Sequence, residues 1–247
     1  MADLKISQLT NGNPAQATDQ IPVARSGANF KLTAQSVAAL AGYVPTDPTS
    51  SVGIGTGSLA SNTEGINNTA VGVASLASNT SGFCNTAIGL NSLVSNTGGT
   101  YNCAFGWNSL YNNTTGTENV AVGEEALNNN TVGYNNTAVG AVSLFSNTEG
   151  ISNSALGYNA LYSNTTGYSN TALGDNTLYS NTEGVNNVAV GAGGLYSNES
   201  GANNVAVGIS SLESNTTGTN SVAIGFRALK ENTTGGENTA IGKDALG

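Results

Sequence analysis

The sequence predicts an all-β protein, a solenoid of twelve 17-residue coils, and three observations support this. A glycine closes an NTAVG-like pentad at twelve positions, each seventeen residues after the last: Gly55, Gly72, Gly89, Gly106, Gly123, Gly140, Gly157, Gly174, Gly191, Gly208, Gly225 and Gly242. The fourth residue after each of these glycines is a leucine, from Leu59 to Leu246. Asn and a second Gly recur in every complete copy. A repeat without insertion or deletion is the signature of a stacked array.

The repeat favours strands over helices. Places are numbered from the first residue of the pentad, so the consensus is N-[TV]-A-[VIL]-G-x-x-[SA]-L-x-S-N-T-x-G-x-N. Seventeen residues are also close to five turns of an α-helix, which makes a helical repeat the competing interpretation. Two glycines and an Asn-Thr pair in every copy are unfavourable in helix interiors, so we predict strands and turns.

Each coil is predicted to contain two short strands. The first covers the second to fourth places, and the second runs from about the eighth place to the twelfth. Turns are expected at the glycines of the fifth and fifteenth places and at the Asn-Thr pair. Residues two apart on a strand share a face. We therefore expect the Leu of the ninth place and the apolar residue of the fourth to fill the core, with Asn stacked over Asn and Thr over Thr as polar ladders.

One coiled chain buries little apolar surface for the conformational entropy that it loses. The Ala of the third place and the neighbouring Gly are expected to form a flat, non-polar outer face. Small residues allow close approach between chains. We therefore expect several copies to pack through these small residues.

Three runs of the repeat carry a family resemblance. NSVAIG (Asn220–Gly225), NNTAVG (Asn135–Gly140) and ENTAIG (Glu237–Gly242) resemble the head repeats of trimeric autotransporter adhesins, whose usual repeat is shorter. The longer unit, with SNTTG or SNTEG in the turn, is similar to the repeats of bacteriophage tail fibres. The resemblance covers residues 51–247 and implies a left-handed parallel β-roll shared by three chains, a homotrimer.

The first residues of the chain differ from the repeat. MADLKISQL and DQIPVARSGANFKLTAQSVAALAG resemble the N-terminal segment of phage tail fibres, which implies a virion-attachment domain over 1–42 and docking of residues 1–48 on a tail baseplate protein. KISQL and IPVAR read as short strands, and Thr33–Ala41 as a short helical segment. Residues 43–50, with Pro45 and Pro48, are predicted as an extended linker.

The resemblance leads to a functional hypothesis. We expect a structural tail fibre on the virion that contributes to adhesion to the host surface, with a host receptor as a further partner. A secreted bacterial adhesin head is the alternative. We see no secretory signal and no apolar run long enough for a transmembrane helix, and this favours the phage interpretation.

Composition disfavours several other classes of function. The chain carries a net charge of −9 and no His. No Lys or Arg occurs between Leu32 and Gly225, so contacts with nucleic-acid phosphates or with an anionic membrane are not expected. Cys84 and Cys103 lack metal-ligand spacing. Regular coils provide no irregular loops for a catalytic pocket, and we expect neither an enzyme nor a cofactor or metal site.

The aromatic residues are the candidate binding residues. They follow the pentad glycine, the Leu or the turn glycine, and those that follow the inward Leu are expected to point outward. We select Trp107, Tyr158, Tyr162, Tyr168 and Tyr179 as candidate surface-binding aromatics. Exposed aromatic strips stack on sugars or proteins, and also on one another or on a neighbouring chain. A Thr column at the thirteenth place leaves an ice-binding solenoid as a further alternative, although a turn is a poor flat template.

Overall fold

The computed structural model describes residues 20–25, 28–33 and 50–246. The chain divides into two compact units, Met1–Pro48 and Thr49–Gly247. The described part of the first unit is a two-stranded antiparallel hairpin, and that of the second is a single twelve-stranded parallel sheet.

The hairpin pairs β1 (Gln20–Arg25) with β2 (Ala28–Thr33), from Arg25 opposite Ala28 to Gln20 opposite Thr33. This confirms the strand predicted at IPVAR, whereas β2 was not predicted. The predicted helical segment begins on the last residue of β2 and otherwise lies outside the described residues. The predicted strand at 5–9 and the linker at 43–50, except Ser50, also lie outside them.

The solenoid confirms the predicted repeat. Each coil contributes one three-residue strand: β3 Val52–Ile54, β4 Thr69–Val71, β5 Thr86–Ile88, β6 Cys103–Phe105, β7 Val120–Val122, β8 Thr137–Val139, β9 Ser154–Leu156, β10 Thr171–Leu173, β11 Val188–Val190, β12 Val205–Val207, β13 Val222–Ile224 and β14 Thr239–Ile241. Every strand pairs in parallel with the strand one repeat away, so that Ala138 lies opposite Ala155 and Ala155 opposite Ala172. Eleven complete turns of the solenoid lie between the first and the last of the twelve strands. No helix occurs in residues 50–246.

The second predicted strand is wrong. The sixth to eleventh places form turns, and the Leu of the ninth place adopts a left-handed backbone, with φ between 50° and 53° in all twelve coils. The seventh and seventeenth places are also left-handed. The turns still bond coil to coil, as where the Leu76 amide donates to the carbonyl of Ser92 over 3.0 Å. A coil of seventeen residues needs sharp reversals of direction to close, and left-handed residues supply them where a second extended strand would not.

The strand also faces the opposite way from the prediction. The third-place Ala of β4 to β14 is buried, and it forms the core together with the ninth-place Leu. The apolar residues of the fourth place lie on the outer face, where Leu156 is 49% exposed. The interior is narrow: a Cβ added to Gly194, at the eighth place, would lie 3.7 Å from the Cβ of Ala189, at the third. A small residue is therefore required opposite the turn, while Leu fills the remaining space.

Two buried Asn columns complete the core. In the twelfth place, the Asn130 side chain donates to Asn113 Oδ1 over 2.7 Å and to the Gly133 carbonyl over 3.0 Å. In the first place, Asn119 donates to the same carbonyl over 2.9 Å and to Asn102 Oδ1 over 3.2 Å. The predicted Asn ladders are confirmed. They satisfy polar groups that would be costly to bury unpaired.

Both glycine columns are required by the stacking of the coils. Gly157, at the fifth place, has φ +144°, and an added Cβ would lie 2.5 Å from the Gly174 carbonyl oxygen. At the fifteenth place, a Cβ on Gly133 would lie 2.5 Å from the Gly150 oxygen. No side chain fits at these distances, so glycine sets how closely neighbouring coils approach.

Candidate functional site

The outer apolar face is a surface that runs along the parallel sheet, and we define it as the second and fourth places of β3 to β14. None of its side chains is buried and none is charged. Its fourth-place column is apolar throughout: Ile54, Val71, Ile88, Phe105, Val122, Val139, Leu156, Leu173, Val190, Val207, Ile224 and Ile241. Outward-facing residues of in-register strands form continuous columns along a sheet. The face is therefore an unbroken uncharged stripe along twelve strands.

A shallow depression lies near the middle of this face. Val139, Leu156 and Leu173 line it, together with the shorter side chains of β8 to β10 beside them. The lining is mostly apolar and contains no charged residue, and its polar side chains are Thr137, Ser154 and Thr171. The depression can receive an apolar side chain of a partner.

A second feature is a column of stacked rings at the tenth place, which we call the aromatic ladder. It consists of Phe145, Tyr162, Tyr179 and Tyr196, with ring centroids 5.3, 5.1 and 5.1 Å apart and planes within 4–5° of parallel. The exact repeat produces it, because one aromatic residue per coil at the same place must stack on the next. Four consecutive coils therefore present a row of rings on the surface.

The electrostatics of the ladder are set by its own phenols. Burial raises the pKa of Tyr179, and the neighbouring Tyr162, Tyr196 and Tyr158 raise it further. The neighbouring phenols therefore disfavour ionisation of Tyr179. No hydrogen bond within the described residues uses the hydroxyl of Tyr162, Tyr179 or Tyr196, so these groups can bind a ligand.

The five aromatic residues selected from the sequence do not form one cluster. Tyr162 and Tyr179 are half-buried inside the ladder, stacked on rings rather than pointing freely outward. Trp107 and Tyr158, at the sixth place, and Tyr168, at the sixteenth, are exposed by 45–55%. Tyr158 alone among these three belongs to the surroundings of the ladder, through its effect on Tyr179.

The selection from the sequence left out Phe145 and Tyr196, which stack in the same column, and the sequence analysis assigned the outer non-polar face to the wrong residues. The ladder could have been found, because all four rings occupy the tenth place of consecutive coils. The outer face could not, since alternation defines two faces of a strand without saying which one points inward.

The Thr column at the thirteenth place is used within the protein. Thr131 Oγ1 donates to the carbonyl of Thr148, and Thr148 Oγ1 to that of Thr165, over 3.0 and 3.2 Å. The hydroxyl protons therefore connect coils. This leaves the column less able to bind ordered water than a free array would be.

No charged residue is buried among residues 50–246. Arg227 lies over the Phe226 ring at 4.9 Å, and Lys230 contacts Glu213 at 3.8 Å. In residues 50–246, Cys84 and Cys103 are free thiols, and no group of three or more His, Cys, Asp or Glu could hold a metal ion. Over the same range, no helix is long and apolar enough to cross a membrane.

The solenoid therefore has two candidate binding surfaces, the outer apolar face and the aromatic ladder. The first provides an extended uncharged contact surface with an apolar fourth-place column, and the second provides stacked rings, three of which carry hydroxyls. Comparison with protein-family models, with curated proteins and with solved structures gives no match for this chain.

Proposed function

We propose that the chain is the structural subunit of a homotrimeric phage tail fibre. In this proposal residues 1–48 attach the fibre to a baseplate protein of the virion tail, and the solenoid forms a shaft that contacts the host surface. The assignment to phage fibres rests on the resemblance of the repeat and of the N-terminal segment. The association of copies rests on the outer apolar face.

The single observation that supports association is that no side chain of the outer apolar face is charged and none is buried in the single chain. Twelve strands at a spacing of about 4.8 Å make a stripe roughly 50 Å long. Monomeric soluble proteins seldom expose contiguous apolar patches of more than a few hundred Å², and larger ones mark interaction sites. Copies of this chain packed around a common axis would remove the stripe from water without bringing like charges together.

The sequence predicted association through the Ala and Gly of the pentad, and this part of the hypothesis is corrected. Ala155 and its equivalents are buried within their own chain and cannot contact another copy. The second- and fourth-place residues take over that role. Their β-branched and aromatic side chains give each copy a corrugated surface that can interdigitate with its neighbours.

Two valines of one coil provide a matched test. Val122 lies on the outer apolar face, whereas Val132 lies in a turn, and they are 37% and 47% exposed. We expect native mass spectrometry of the full chain to give three copies, Val122→Lys to shift the mass towards one copy, and Val132→Lys to leave it unchanged. A single-chain mass for the unsubstituted protein would overturn the proposal.

The two cysteines provide an independent test without a change of charge. Cys103 is a second-place residue of the outer apolar face, and Cys84 is at the seventeenth place; both are half-buried in the single chain. In the assembly, Cys103 is expected to react with a bulky thiol reagent much more slowly than Cys84. Denaturation should equalise the two rates, and equal rates in the native protein would contradict burial of this face.

Attachment to the virion is tested separately. Removal of residues 1–48 is expected to abolish incorporation into phage particles and to leave the solenoid folded, as measured by circular dichroism. Detection of the chain on bacterial cell surfaces instead of virions would support the adhesin alternative. A solenoid that unfolds without residues 1–48 would refute the proposed division of the chain.

A further inference from the structure

The exposed apolar side chains of the solenoid extend beyond the outer apolar face, onto residues that precede and follow each strand. We call the sixteenth and seventeenth places the leading flank and the sixth place the trailing flank. Among residues 50–246, every exposed large apolar side chain except Val132, Tyr196 and Leu246 lies on the outer apolar face or on a flank. The leading flank includes Ile66, Phe83 and Tyr134, and the trailing flank includes Leu90, Trp107 and Phe226.

Each flank is a continuous column of side chains. On the leading flank, the rings of Phe83 and Tyr101, from neighbouring coils, meet edge to face with centroids 5.2 Å apart. On the trailing flank, Lys243 Nζ lies 6.0 Å from the centroid of the Phe226 ring, one coil earlier. The sixteenth and seventeenth places therefore share one surface, and sixth-place side chains of successive coils reach each other.

The strands alone are too narrow for a stable contact between copies. Three residues span about 10 Å along a strand and the stack is roughly 50 Å long, so the strands cover about 500 Å². Stable interfaces bury about 800 Å² on each partner. The run from the seventeenth place to the sixth about doubles the width, which brings the surface into that range.

The direction of the copies decides which flanks meet. When copies run in the same direction around a common axis, the trailing flank of one lies beside the leading flank of the next, at the level of the same strand. When two copies run in opposite directions and overlap fully, each flank lies beside its own kind in reversed order. The two arrangements therefore bring different residues together.

The charged residues of the flanks distinguish these arrangements. Parallel copies bring Lys243 of one chain beside Glu237 of the next, at β14, and Glu124 beside Glu118, at β7. Antiparallel copies bring Glu124 beside Asp175 and Lys243 beside Thr56. The parallel arrangement therefore gains an attractive pair against its one repulsive pair, whereas the antiparallel arrangement has only a repulsive pair. Within residues 50–246, the flanks carry no charged residue other than Glu118, Glu124, Asp175, Glu237 and Lys243.

We propose that copies of this chain run parallel and in register, and that the trailing flank of each copy packs on the leading flank of its neighbour. The inference rests on the association proposed above and adds two contact surfaces to it. Trp107, Tyr158 and Tyr168 then contact a second copy of this chain. The flanks form the rim of the contact and the outer apolar face its centre, and an interface rim remains accessible to solvent. The seventeenth-place Cys84 therefore stays more reactive than Cys103.

Disulfide formation between two single-cysteine chains tests which flanks meet. The native thiols are replaced by Cys84→Asn and Cys103→Thr, with residues that occupy the same places in other coils. One full-length chain then carries Ala192→Cys on the trailing flank, and a co-expressed chain carries Asn186→Cys on the leading flank of the same level. A disulfide requires Cα atoms about 4.4–6.8 Å apart, so cross-linking by oxidised glutathione reports close neighbours.

Two further single-cysteine chains are the controls. Asn220→Cys lies on the leading flank two coils later, about 10 Å further along the stack. Trp107→Cys lies beside Ala192 only in antiparallel copies. We expect the Ala192→Cys chain to cross-link with the Asn186→Cys chain about fivefold or more above its cross-linking with either control.

A matched pair of neutral substitutions provides a second measurement. Glu118→Gln removes a repulsive contact only from parallel copies, and Asp175→Asn only from antiparallel ones. In native mass spectrometry on dilution, Glu118→Gln should lower the concentration at which the assembly dissociates by about threefold. Asp175→Asn should leave that concentration unchanged.

The proposal is overturned if assemblies form but no pair of flanks cross-links, or if either control cross-links as well as Asn186→Cys does. It is also overturned if Asp175→Asn, and not Glu118→Gln, strengthens the assembly. These outcomes leave the association itself intact. A chain that remains single at every concentration would instead refute the association proposed above, and the flank contacts with it.

Discussion

At the scale of the residue, the ninth-place leucines from Leu76 to Leu229 combine a buried side chain with a left-handed backbone. The left-handed conformation costs an L-residue about 1–2 kcal/mol. Full burial of a Leu side chain contributes about 1.5–3 kcal/mol. The two effects are of similar size, so the leucines hold their unusual backbone only because the core accepts their side chains.

Substitution of one leucine tests this balance. Leu144→Ala removes a fully buried side chain and is expected to lower the free energy of unfolding by about 2–5 kcal/mol. Chemical denaturation followed by circular dichroism measures the change. Val132→Ala, at an exposed place, serves as the control and should stay within about 0.5 kcal/mol. Equal effects of the two substitutions would show that the Leu column is not the core.

The raised pKa of Tyr179 predicts that the free energy of unfolding falls at alkaline pH. Its folded-state pKa is raised by burial and by the neighbouring phenols above the ordinary value of about 10. The unfolded chain therefore loses this proton first. The contribution of Tyr179 to stability is complete below about pH 10 and is lost as the pH rises through the raised pKa.

Ultraviolet titration of the phenols measures this effect. Tyr179→Phe is expected to remove the last-ionising component of the native titration, and Tyr162→Phe to move that component to lower pH, because one repelling phenolate is gone. An unchanged titration curve in both variants would contradict coupling within the ladder.

At the scale of the element, the sequence predicts the coil and its register but not the path of the chain within it. The seventeen-residue interval, the inward Leu and the Asn columns follow from the pattern. The turn over the sixth to eleventh places does not, because Ala74, Val142 and Leu144 have left-handed backbones that their residue types disfavour. The burial of Ala also escapes prediction, since it depends on the width of the closed coil.

The candidate site, too, could be predicted only in part from the repeat pattern. The aromatic residues could be located from the sequence because their places repeat, but their stacking depends on the ring-to-ring distance that the coils impose. The outer apolar face was assigned to the wrong residues, since Val and Ile are normally the buried partners of Ala. The interior of this coil has room for only one large side chain, the ninth-place Leu, so the small Ala points inward and Val and Ile point outward.

Two glycines separate the effect of coil spacing from that of backbone conformation. Gly157→Ala places a Cβ against the Gly174 carbonyl and should destabilise the solenoid by several kcal/mol, about the upper range for single substitutions. Gly193, at the seventh place, where other coils carry Asn, has φ +66°, and a Cβ added there would lie at an ordinary contact distance of 3.7 Å from Ser210 Oγ. Gly193→Asn should leave the denaturation midpoint almost unchanged. A mild effect at Gly157 would show that coils can move apart.

At the scale of the whole molecule, the array is a sum of like units, and its length is adjustable only in whole coils. Contacts in such an array join neighbours, so its stability is about the sum of unit and interface terms. The outer apolar face, the ladder and the Asn columns all depend on the same register.

Deletion of residues 137–153, one repeat, should therefore give a folded and associated protein that is shorter by about 4.8 Å. Deletion of the sixteen residues 137–152 shifts every later strand by one place and turns its core face outward. Circular dichroism and native mass spectrometry should show the first deletion intact and the second unfolded or unassembled. Equal tolerance of both would refute a fixed register.

The Asn columns also give the stack a direction. Each side-chain N–H points to the earlier coil and each side-chain oxygen to the later one, as in the link from Asn130 to Asn113 and in that from Asn147 to Asn130. The amide dipoles of a column therefore add head to tail and polarise one another. The two sides of any coil are complementary, with donors on one and acceptors on the other. A further coil can continue these columns only if it has the same orientation as the others, because only then do its donors meet the acceptors of its neighbour.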